Sequence, residues 1–272
     1  MSVCVRRLLT IGILWASVPG PLAAELQVQE SVVEIDGRPV RVLCTAGPRR
    51  VVLVHGESSG AESWRPVLDV LAGRVGACAY DRIPVSEGGP EEGRGWFALM
   101  DEMWRTHPAL GFERGYVLVG HAMGGLYARL YAADRPLDVG GLVLLDPVHE
   151  DMPEEARPGM PRAAWSAWMA ERIRPNTDGM RESDLARHAR NVRLPDIPVT
   201  VLTATERRDG DGWDARFLAQ AARRVHASIL HGVRSGRHIP ASGAGPLLPS
   251  EDPELVAREI MRVAGMTTRG ER

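Results

Sequence analysis

A chain of 272 residues, 44% hydrophobic and 25% charged, has the composition of an ordinary globular protein, long enough for one large domain with a buried core. A formal charge of −2, with arginines scattered among carboxylates, excludes an electrostatic case for nucleic acid or an anionic membrane surface.

At the start, Arg6-Arg7 precede an apolar run from Leu8 to Val18, followed by Pro19-Gly20-Pro21 and the small residues Ala23-Ala24. This is the charged, apolar and small-residue order of a secretory signal. The run is too short to span a bilayer. The expectation is a signal peptide over 1–24, a secreted or periplasmic protein, and no stable membrane span once the leader is removed. Cys4 leaves with the leader, so that Cys44 and Cys78 remain as an even pair.

Beyond the leader, Val32–Ile35 and Pro39–Leu43 flank Asp36-Gly37, which predicts an antiparallel hairpin around a tight turn. Val51–Val54 is a continuous apolar run, the pattern of a strand covered on both faces, and ends in His55-Gly56. A helix is predicted from about Trp64 to Leu71. The strand Gly76–Tyr80 follows and ends in Asp81-Arg82. Gly, Pro and Glu dominate from Ile83 to Gly95, which reads as loop, and Trp96–Arg105 reads as helix.

Tyr116-Val-Leu-Val119 then runs into Gly120-His121-Ala122-Met123-Gly124-Gly125 and a helical pattern over Leu126–Ala133. A buried strand turning through glycines into a helix is the pattern G-x-S-x-G, in which a strained turn projects a nucleophile clear of the sheet. The central residue here is Ala122, so the scaffold of a nucleophile lacks its oxygen.

Leu142–Leu145 predicts the next strand, ending in Asp146-Pro147. A polar excursion over 148–194 contains two helical patterns, about Arg162–Ile173 and Arg181–Val192. The strand Val199–Thr203, the helix Trp213–Arg224, a short strand Ser228–Leu230 and a helix from about Pro253 to Val263 complete the pattern. Strands alternating with helices predict a mostly parallel sheet covered on both faces.

Together, His55-Gly56, Tyr80-Asp81-Arg82, the turn at Ala122, Asp146-Pro147 and Ser235-Gly-Arg-His-Ile-Pro240 resemble the α/β-hydrolase superfamily over nearly the whole mature chain. The likeness is to its bacterial esterase and lipase branch, whose turn reads G-H-S-M-G-G. The resemblance implies an eight-stranded, mostly parallel sheet formed by 25–147 and 195–272, with 148–194 as a helical cap between strands 6 and 7. In that fold the second strand lies beside the fourth, which would pair Cys44 with Cys78 in a disulfide. Ile83-Pro-Val-Ser86 departs from the family's Gly-x-Gly-x-Ser, so contacts there do not transfer.

A working member attacks an ester carbonyl with serine, passes the proton to histidine and orients that histidine with a carboxylate, in the chain order nucleophile, acid, histidine. The resemblance puts Ala122 at the nucleophile position and His238 at the base, in the loop before the last helix. His226 and His231 fit less well. Asp146 ranks first as the acid, and Glu206, Asp209 and Asp211 after the seventh strand are alternatives. The oxyanion hole would be the backbone N–H groups of Glu57 and Met123. His121 is read as a packed strand-end residue, and Trp165, Trp168 and Met169 as an apolar wall of the cap.

The pattern calls for no cofactor, and the histidine spacing gives no metal site. The expected partner is a small molecule, with an ester as the expected chemistry. Three functions remain open: a serine-type ester hydrolase disabled at residue 122, a non-covalent enzyme using His238 and its acid as general base, and a protein that binds an ester- or carboxylate-containing ligand without turning it over.

Overall fold

A computed structural model of the chain describes residues 27–82, 95–206 and 214–270. The leader, Ile83–Ser86, Asp209 and Asp211 lie outside these residues.

Eight strands form one sheet in the order β1-β2-β4-β3-β5-β6-β7-β8. They are β1 (Gln29–Ile35), β2 (Arg38–Cys44), β3 (Arg49–Val54), β4 (Gly76–Tyr80), β5 (Tyr116–His121), β6 (Val139–Leu145), β7 (Val199–Ala204) and β8 (Gly236–Ala241). The pairs β1–β2 and β2–β4 are antiparallel, and all the others are parallel. Asp36 and Gly37 take φ of 52° and 73°, the left-handed conformation that joins β1 to β2 through a two-residue turn. Cys44 lies opposite Cys78 across β2 and β4, and their sulfurs are bonded.

Alternation along the central strands builds two cores. Val52, Val54, Leu118, Leu142 and Leu144 pack with α2 (Trp96–Ala109) and α3 (Met123–Asp134). Val51, Leu53, Val117, Val119 and Val143 face α1 (Arg65–Leu71) and the final helix, whose Val256, Ile260 and Val263 are buried. Both faces of the sheet are therefore covered, and the continuous apolar runs in the sequence have this cause.

Between β6 and β7 the chain forms α4 (Met152–Ala156), α5 (Arg162–Arg172) and α6 (Glu182–Ala189). Met160, Ala156 and Leu218 make a small third core there, with Met152, Trp165 and Trp168 packed against it. After β7 come α7 (Ala215–Ser228), then β8, α8 (Leu248–Glu251) and α9 (Pro253–Gly270).

The predicted strand at 228–230 is corrected. Ser228 ends α7, whose Leu218, Ala221, Ala222 and Val225 form a buried helical stripe. The eighth strand is Gly236–Ala241, which includes Pro240 and which the sequence pattern predicts as loop. Proline is tolerated there because β8 is the edge of the sheet, where one side of the strand makes no ladder bonds.

Candidate functional site

The turn after β5 has the geometry its glycines predict. Ala122 takes φ 49° and ψ −116°, between the last residue of β5 and the first of α3. A Cβ on Gly120 would lie 2.3 Å from Gly124 O, and one on Gly124 would lie 2.4 Å from His55 O. Neither position accepts a side chain, since strand, helix and the 55–56 segment meet there. The turn is also pinned to the neighbouring strand: Ala122 N–H donates to Leu145 O at 3.0 Å, and Val148 N–H donates to Ala122 O at 3.0 Å.

Ala122 lies on the wall of a cavity of about 870 Å³. Its apolar side comes from the cap and α7, through Met152, Met160, Trp168 and Leu218. Its polar side carries Asp146, His149, Glu206, His226 and Glu251, and Arg172 and Glu182 form an ion pair at the cap edge. The described residues lining it include no serine, threonine, cysteine, tyrosine or lysine.

His238 is not on this wall. It belongs to β8, opposite Val201 of β7, and its Nε2 bonds Thr203 Oγ1 at 2.8 Å. Burial, with Arg223 nearby, holds its pKa below the ordinary value. The expectation that it sits in the loop before the last helix, facing residue 122, is therefore corrected: residues 236–241 pair with β7 as the edge strand, which holds the His238 ring against Thr203. The loop that does follow β8, Ser242–Leu247, brings Gly243, Gly245, Pro246 and Leu247 to the cavity. It holds no histidine, and His238 is the last histidine in the chain.

Asp146 follows β6 with φ 42° and accepts the Ala204 N–H at 3.2 Å through Oδ1. The histidine beside it is His226, whose Nδ1 lies 3.9 Å from Asp146 Oδ1. His226 Nε2 donates to Pro147 O at 2.8 Å, so in the neutral ring Nδ1 accepts from Thr203 Oγ1, also at 2.8 Å. Thr203 in turn accepts from His238, and the three side chains form one chain of hydrogen bonds through the α7 face of the sheet. His149 is similarly engaged: Nδ1 accepts the Asp151 N–H at 3.1 Å and Nε2 lies 3.3 Å from Ser228 Oγ. Burial pushes its pKa down to about 4. Both histidines on the wall thus have both ring nitrogens bonded. Nothing in the local sequence marked either as a wall residue, because each arrives from a different element.

Glu206 is exposed at the rim, where its N–H donates to Ala244 O at 3.0 Å. Of the two oxyanion-hole candidates, Met123 opens α3 beside Ala122. Glu57 is exposed, and the loop bearing it faces the cap, since Ser58 N–H donates to Thr177 Oγ1 at 3.2 Å. Partial desolvation of its carboxyl, with Asp178 nearby, raises the Glu57 pKa. Glu57 does not line the cavity. His121, on β5, donates from Nε2 to Pro246 O at 2.8 Å, tying the loop after β8 to the turn. Trp168 reaches the cavity, whereas Trp165 packs on it edge-on at 5.8 Å and is not on the wall.

A buried ion pair that the sequence did not announce joins cap to core. Arg82, just past β4, donates through Nε and Nη2 to the two oxygens of Asp178 at 3.0 and 2.9 Å. Its remaining bonds go to His55 O at 2.6 Å and Gly56 O at 2.9 Å, and Tyr127 Oη donates to Asp178 at 3.0 Å. The cap, the loop after β3 and α3 are held at one point.

Among the described residues no group of three or more His, Cys, Asp or Glu could hold a metal, and no helix is long and apolar enough to cross a membrane.

Comparison with known proteins agrees with this fold. An uncharacterized protein of Bacillus subtilis strain 168, YqjL, is 24% identical over 244 residues, covering 86% of this chain and 91% of that protein. Monoacylglycerol lipase abhd6-A of Xenopus laevis is 29% identical over 111 residues, covering 39% of this chain and only 33% of the lipase. Among solved structures, the epoxide hydrolase CorEH superposes with a TM-score of 0.61 at 16% identity, covering 88% of this chain and 99% of that one. Carboxylesterase CesB of Bacillus subtilis gives 0.57 at 14%, covering 87% and 91%. At these identities the superpositions show the fold alone. What these likenesses share is a hydrolase fold. With the model of the α/β hydrolase fold family matching residues 49–231, the chain belongs to that family.

Proposed function

We propose that this chain is an exported member of the α/β-hydrolase family that binds a small molecule with an apolar body in the cavity beside Ala122 and does not carry out serine-type acyl transfer. The observation that carries this reading is a double vacancy in the machinery. The strained turn offers a methyl group at residue 122, and the loop after β8, which lines the cavity through Gly243, Gly245, Pro246 and Leu247, holds no histidine to serve as a base. A binding pocket without nucleophile and base leaves at most weak residual catalysis. General-base chemistry through His238 has no support either, because its Nε2 is bonded to Thr203 away from the cavity.

Export is supported by the leader pattern over 1–24 and by the Cys44–Cys78 bond, since structural disulfides persist in oxidising compartments. The esterase and lipase names among the relatives support a ligand with an acyl-sized apolar body.

The test is Ala122→Ser, assayed on p-nitrophenyl esters of short and long acids. A serine without a base does not attack, so the variant shows neither burst nor turnover above the unaltered chain. A burst followed by steady turnover overturns the reading and restores a hydrolase disabled at a single position.

A further inference from the structure

Resting on the binding function proposed above, the wall of the cavity also restricts what charge its ligand carries. Among the described lining residues the only positively charged side chain is Arg172, and it is paired with Glu182 while its guanidinium stacks 5.3 Å from the Trp168 ring centre. The remaining charged groups are all carboxylates: Asp146, Glu206 and Glu251. They come from three separate segments, after β6, after β7 and in α8, so their convergence is a property of the fold. His149 adds no positive charge at neutral pH, because burial holds it unprotonated.

The cap and α7 also supply apolar lining. Met152 and Met160 of the cap, Leu218 and Ala222 of α7, and Trp168 of α5 form a lobe that a hydrocarbon chain fills. Methionine is unbranched and adapts to irregular shapes, which suits a flexible chain more than one rigid ring system. The one feature that favours an anion is the start of α3 at Met123, where the helix terminus supplies about half a positive charge. Three carboxylates outweigh it. The helix start still accommodates an uncharged carbonyl oxygen.

We propose that the cavity selects an organic cation, a primary or quaternary ammonium carried on an apolar chain, over the neutral or carboxylate compound of the same length. Its chain occupies the methionine-lined lobe and its charge lies at the Glu206 and Glu251 edge. A carboxylate product of ester hydrolysis would be repelled from the same edge.

The experiment is isothermal titration of the full chain at low ionic strength with three probes of one chain length: octyltrimethylammonium, 1-octanol and octanoate. The expected affinity falls in that order, with the cation favoured over octanoate by about tenfold or more. That preference shrinks when salt is raised to about 0.5 M, because the carboxylates lie at a rim reached by counterions. In the double variant Glu206→Gln and Glu251→Gln, the preference for the cation over octanoate falls toward unity. Octanoate binding as tightly as the cation, or a preference unchanged in the double variant, overturns the inference and leaves the binding function standing. Failure of all three probes to bind removes the binding function itself.

Discussion

Replacing Asp178 by alanine leaves the Arg82 guanidinium without its carboxylate where it has almost no access to water: the two side chains are 1% and 7% exposed. The native pair is bidentate, with N···O distances of 3.0 and 2.9 Å, and Tyr127 supplies a third bond to the same carboxylate. Two carbonyl bonds, to His55 and Gly56, remain to Arg82 in the variant but do not neutralise its charge. Breaking one partner of a buried pair costs about 3–5 kcal/mol. In a chain of this size that is a fall in Tm of roughly 10 °C. The assay is thermal unfolding together with amide exchange. The loss should be concentrated at residues 175–182, where Asn176 and Met180 close a turn through a 2.8 Å backbone bond. Asp178→Asn keeps the shape and an acceptor for Tyr127, and falls between the two. A Tm within about 2 °C of the parent for Asp178→Ala would refute the claim that this pair fastens the cap to the core.

The Cys44–Cys78 bond closes a loop of 34 residues, and the chain-entropy relation gives it about 4 kcal/mol. The Cys44→Ala and Cys78→Ala double variant should lose that much in urea unfolding, and an unchanged midpoint would contradict it. His55 and His149 have folded pKa values near 4, lowered mainly by burial. The unfolded chain binds their protons from about pH 6.5 downward, so stability is fully present above that pH and is lost as pH falls from about 6.5 toward 4. His107 extends the loss to about pH 3. Tm measured against pH should show this slope, and His149→Gln should flatten it; a Tm constant across the window would sink the assignment.

Sequence alone determined the parts that depend on short-range geometry. Apolar runs such as Val51–Val54 have the pattern of strands covered on two faces, and Asp36-Gly37 has that of a tight turn. Gly120 and Gly124 around residue 122 dictate the sharp turn, because a side chain at either would strike backbone within 2.4 Å. The turn at residue 122 was therefore legible from spacing. The placement of His238 was not. Whether Ser228–Leu230 or Gly236–Ala241 is the last strand depends on which segment pairs with β7, and that pairing is a tertiary contact. The same contact decides that His238 meets Thr203 and that Pro246, 125 residues beyond His121 in the chain, lies against it. Likewise Arg82 and Asp178 are 96 residues apart, and neither predicts the other until the cap folds back on the sheet. Local pattern carries backbone shape; only the closed fold decides which side chains share a cavity, because that sharing is set by distance in space and not by separation along the chain.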